Sequence, residues 1–133
     1  MAKWILPLLV LLFAAPSVLP QEANVQVFGQ SALVTDPSPM HAAIYRMMEG
    51  CTGQQGDYET LRWGLAEFII EPSLTRVLGF WNREHRTIII DKDYAYHAGI
   101  ISHEILHDLF NGQTSGDVYE QCIIRGTGGW SDR

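Results

Sequence analysis

The chain predicts an α+β domain built from an N-terminal helix, a short antiparallel or mixed sheet, and a later helix bearing two histidines. Three observations predict it. Within Met40 to Glu49, Ala43, Ile44, Met47 and Met48 recur at helical spacing. The β-branched run Thr87-Ile88-Ile89-Ile90 reads as a strand. From about Tyr94 to Phe110, Ala98, Ile101, Ile105 and Leu109 form one apolar stripe, which is the signature of an amphipathic helix.

At 133 residues the chain is long enough for one domain and too short for two. Its start reads as a separate piece. Lys3 precedes an almost wholly apolar run from Trp4 to Leu19, interrupted by Pro7 and Pro16 and containing Ala14-Ala15-Pro16-Ser17. Such a run is short for a membrane span and fits a secretory signal peptide, assigned to residues 1–20. Cleavage after Ala15, after Ser17 or as late as Ala23 is compatible with the pattern, and an uncleaved anchor is the alternative. Residues 21–39 are polar and turn-rich, ending in Asp36-Pro37-Ser38-Pro39, and are expected to be a linker to a domain at 40–133. The protein is expected to be secreted or periplasmic, with no stable membrane association once the leader is removed.

The remaining elements follow in order. Gly50 is a candidate C-cap for the first helix, and Cys51 to Asp57 reads as a loop. Leu61 to Ile70 reads as one strand, stopped by Glu71-Pro72-Ser73. Val77 to Trp81 is a short strand around Gly79, and Asn82 to His85 is a polar turn. Asp91 and Asp93 offer an N-cap and favourable charge for the second helix, which Asn111-Gly112 ends. Asp117 to Ile124 is a short helix or an extended segment. Thr87 to Ile90, directly before the second helix, is expected to be an exposed strand to which an extended peptide adds.

The net charge is −6, and lysine and arginine are scattered without a basic stripe, which disfavours nucleic-acid binding. A monomer is expected. Export makes an oxidised pair of the two cysteines, Cys51 and Cys122, the expected state. Closing a loop of about 70 residues is worth about 4 kcal/mol in the chain-entropy model.

The chemistry concentrates in His103-Glu104-Ile105-Leu106-His107. Histidines four apart on a helix lie about 40° from one another around the axis, so both imidazoles can reach one metal ion. Glu104 follows the first and is placed to take a proton from water at that metal. This is the H-E-x-x-H pattern of zinc hydrolases. A catalytic zinc needs a third protein ligand, and Asp117 is the first candidate. Glu120 comes next, followed by His41, His85, His97 or an additional water. Asp108 can orient a histidine or be solvated, while Trp63 and Trp81 are expected to pack in the core.

Ser102 to Leu109, preceded by Thr87-Ile88-Ile89-Ile90-Asp91, resembles the active-site strand and helix of the zincin metallopeptidases. The spacing of Cys51, Trp63, Trp81, the helix and Cys122 is similar to that of small exported bacterial zincin-like proteins. Phe110 and Gln113 stand where metzincins have glycine and histidine, which excludes that class. Gly112, Thr114, Asp117 and Tyr119 are an inexact echo of the aspzincin pattern, and Glu120 is the residue that a gluzincin likeness would use. The resemblance implies a small zincin-like domain that binds one Zn²⁺ per chain through His103, His107 and Asp117. Its substrate would be a peptide or protein, with Glu104 as general base and Tyr119, Tyr94 or Tyr96 assisting the oxyanion. The competing reading is a non-catalytic extracytoplasmic binding module, stabilised by zinc or stapled by its disulfide. Glu104 separates the two, because a purely structural metal site needs no base.

Overall fold

The computed structural model of the chain describes residues 24–113 and 119–124. Along them run β1 (Gln26–Phe28), β2 (Val34–Thr35), α1 (Pro39–Thr52), β3 (Arg62–Ala66), β4 (Phe68–Ile70), β5 (Arg76–Val77), β6 (Gly79–Asn82), β7 (Thr87–Asp91) and α2 (Ala98–Leu109). Single 3-10 turns lie at Tyr58–Thr60, Lys92–Tyr94 and Glu120–Cys122. The expected α+β class holds. One sheet has the order β2-β3-β7-β6 and the other β1-β4-β5. Among the described strands only β3 and β7 run parallel; the other pairings are antiparallel. The leader assigned to 1–20 lies outside the described residues. Among these, no helix is long and apolar enough to cross a membrane.

α1 starts where the sequence places it. The Ser38 hydroxyl accepts from the His41 amide at 3.3 Å, and Pro39 occupies the first turn, where its missing N–H costs nothing. It ends later than Gly50. Thr52 is buried and donates to the Met48 carbonyl at 2.8 Å, so the helix runs on until Gly53 takes the left-handed cap position at φ 77°. Ile44, Tyr45 and Met48 form its inward face.

Two expected strands each divide between sheets. Ala66 and Ile69 pack in the same small cluster with Ile89, yet they are an odd number of residues apart. A straight strand would send them to opposite faces, so the chain bends at Glu67 and β4 joins the second sheet. Val77 and Trp81, an even number apart, pack in different clusters, and the break at Leu78 permits it. The expected linker 21–39 holds β1 and β2, with Val25, Val27 and Leu33 packed on the small cluster. Strands of two and three residues are too short to display an alternation.

β7 organises the core. Ile88 and Ile90 face α1 and α2 alongside Trp63, Ile101 and Ile105, whereas Ile89 faces the second sheet. The strand is also enclosed laterally, by β3 and β6. Thr87 to Ile90 is therefore an interior strand, which corrects the expectation that it is exposed. The edge belongs to β6.

Cys51 and Cys122 form the expected disulfide, 71 residues apart in sequence, and tie the end of α1 to the chain after α2. Replacing both by serine is expected to remove about 4 kcal/mol of stability. A urea melt whose midpoint matches that of the oxidised wild type contradicts this.

Candidate functional site

α2 starts at Ala98, one turn later than expected. Asp91 caps the preceding 3-10 turn instead, accepting from the Asp93 amide at 3.0 Å while pairing with Arg76. The α2 N-cap is His97, whose Nδ1 accepts from the Ile100 amide at 3.4 Å. Ile101, Ile105 and Leu109 are buried as the stripe requires. His103 and His107 border that stripe, one half-buried and the other exposed on one side.

The i,i+4 spacing brings the two imidazoles together, with ring centroids 5.0 Å apart and planes at 84°. Desolvation holds His103 well below its ordinary value, at about 4, and the neighbouring His107 lowers it further. His107 is lowered as well, by the partial desolvation that its neighbours impose. Both shifts favour the neutral ring, the form in which an imidazole binds a metal.

β6 lies along this helix. At its start, a first side-chain carbon on residue 79 would fall 2.8 Å from Glu104 Oε2, so glycine lets the strand approach without displacing the Glu104 side chain. Two residues on, the Trp81 ring stacks on His107 with centroids 6.4 Å apart and planes at 20°. Glu104 is 5% exposed, and burial raises its carboxyl to about 8. It makes no hydrogen bond or ion pair with another residue among those described. A buried carboxyl without a protein partner is costly and rare in a purely structural role.

Asp108, the next residue after His107, does not orient either histidine. Its carboxylate accepts from Tyr45 Oη (2.8 Å), Trp81 Nε1 (3.0 Å), Arg86 Nε (3.0 Å) and Arg86 Nη2 (2.8 Å). It thereby fixes the tryptophan that backs His107. Burial and this carboxylate push the Tyr45 phenol up, keeping it a donor. Trp63 and Trp81 are buried in the core as expected, and Trp81 adds the contact with His107.

The other ligand candidates separate. Asp117 and Thr114 lie outside the described residues. Glu120 starts an exposed turn. His41 is buried on α1, with its ring edge-on to Trp63 at 4.8 Å. His85 is exposed on the turn between β6 and β7, and His97 caps α2. No group of three or more His, Cys, Asp or Glu able to hold a metal occurs among the described residues. Tyr119 stacks on Phe110 at 4.9 Å, and Tyr94 lies 6.0 Å from His97.

The segment after α2 is pinned to the helix. Ser102 Oγ accepts the Ile124 amide at 3.0 Å, Ile123 is buried, and Cys122 is bridged to α1. Gly79 and the Trp81 contact escape sequence reasoning because both depend on strand-to-helix registry. The one local signal is a glycine inside a strand, which often marks a close backbone approach. Compared with known proteins, the chain matches no family model, no curated protein and no solved structure.

Proposed function

We propose that this chain is an exported zinc-dependent peptide hydrolase. The observation that carries the reading is the combination on α2: two adjacent imidazoles whose burial favours the neutral form and, between them in sequence, a buried carboxyl with no partner among the described residues. His103 and His107 would hold the metal, with Asp117 as third ligand and Glu120 as the alternative. A bound Zn²⁺ supplies a Lewis acid that lowers the pKa of water toward about 7 and polarises a carbonyl. Glu104 takes the proton of the attacking water and returns it to the leaving amine. The substrate pairs with β6, which has a strand neighbour on one side only among the described residues. An extended peptide added there lies beside Gly79 and Trp81, next to Glu104 and His107.

The test is direct. The purified mature protein is expected to hold about one zinc per chain by elemental analysis. Asp117→Ala should weaken zinc more than Glu120→Ala, and the reverse order reassigns the ligand. Absence of zinc after the metal is supplied rejects the reading. The close approach of β6 gives a second prediction. Gly79→Ala pushes against the Glu104 carboxylate and should slow hydrolysis by about 100-fold with zinc retained, as expected when a catalytic group is displaced by about 1 Å. Steady-state rates and metal content measured on the same sample check both halves.

A further inference from the structure

Most cations of the described chain are neutralised. Arg46 pairs with Glu49 and Glu59, Arg76 with Asp91, Arg86 with Asp108, and Lys92 with Glu67. Arg83 is different. It follows β6 directly, is exposed, and makes no ion pair or side-chain hydrogen bond with another residue among those described.

Its place is defined from two sides. A first side-chain carbon at residue 112 would fall 2.9 Å from Arg83 Nη2 and 2.8 Å from Trp81 Cζ3, so the guanidinium and the indole meet over Gly112. Gly112, at φ 71°, is also bonded through its amide to the His107 carbonyl at 2.8 Å. The guanidinium thus lies near the edge of the Trp81 ring, the same ring that stacks on His107. In a chain of net charge −6, an arginine left without a carboxylate at this position is available to an external one.

The direction of β6 says where that carboxylate sits. The strand starts at Gly79 against Glu104 and ends at Asn82 beside Arg83. A peptide paired antiparallel to it runs the other way, so its N-terminal part lies at Arg83. We propose that Arg83 makes this site selective for peptides carrying an acidic side chain on the N-terminal side of the cleaved bond. This rests on the hydrolase reading above and adds the substrate class to it.

Quenched fluorescent peptides identical except for Glu, Gln or Lys at those positions test it against the zinc-loaded wild type and Arg83→Glu. The expected order of kcat/KM in the wild type is Glu above Gln above Lys, with about tenfold between Glu and Gln, equivalent to about 1.4 kcal/mol. Arg83→Glu should invert the order, and Arg83→Gln should flatten it. Equal rates for the three peptides in the wild type, or a Glu preference that survives Arg83→Glu, overturns the assignment and leaves the hydrolase reading standing. Binding of the same peptides to Glu104→Gln by fluorescence anisotropy separates the two ideas. If no peptide is cleaved, the hydrolase reading fails. Charge-dependent binding that disappears in Glu104→Gln/Arg83→Glu then still supports Arg83 as the recognition residue, and charge-independent binding overturns it.

Discussion

Glu104→Gln is expected to lower peptide hydrolysis by about 10²- to 10⁴-fold, the usual range for a lost general base, with zinc content unchanged. The substitution keeps shape and removes the ability to take a proton. It also has a signature that needs no substrate. Burial raises the Glu104 carboxyl from its ordinary 4.5 to about 8 in the metal-free fold. The native state therefore holds a proton that the unfolded state releases, so this group's stabilisation is complete below pH 4.5 and is lost as pH rises toward 8. Unfolding of metal-free Glu104→Gln should lack that slope. Hydrolysis at the wild-type rate, or an unchanged pH dependence of stability, contradicts the assignment of Glu104.

Asp108→Ala is expected to destabilise the fold by about 2–4 kcal/mol, because a buried donor left without its acceptor costs about 1–3 kcal/mol and the Tyr45 hydroxyl and Trp81 indole are both stranded. It leaves the Arg86 guanidinium, the Trp81 indole and the Tyr45 hydroxyl without their common acceptor. That loss is a large part of the stability of a domain this size. Asp108→Asn keeps an acceptor for the indole and should cost less. Urea unfolding of the two variants checks the order, and equal small losses would show that the network contributes little.

Much of the site's frame is legible in the sequence, because it depends on short periods. The spacing of His103 and His107 puts both rings on one face of a helix, and that is where they meet. The run Thr87 to Ile90 is a strand, and the stripe Ile101, Ile105 and Leu109 is buried. Lateral neighbours are not legible. Nothing local tells that β3 and β6 flank β7, so the edge strand is identified one element too late from the sequence. Helix ends shift for a related reason: Thr52 carries α1 past Gly50, and the Asp91-capped turn delays α2 to Ala98. The role of Asp108 is hidden because its partners, Tyr45, Trp81 and Arg86, come from three other segments.

The bridge between Cys51 and Cys122 has a consequence for timing. It clamps Glu120 to Ile124 beside α2, where the Ile124 amide rests on Ser102, the residue immediately before His103. In a thiol-rich cytosol the clamp does not form, and that stretch is held only by its packing and the bond from the Ile124 amide to Ser102. Full assembly of the histidine pair's surroundings is thereby tied to an oxidising environment.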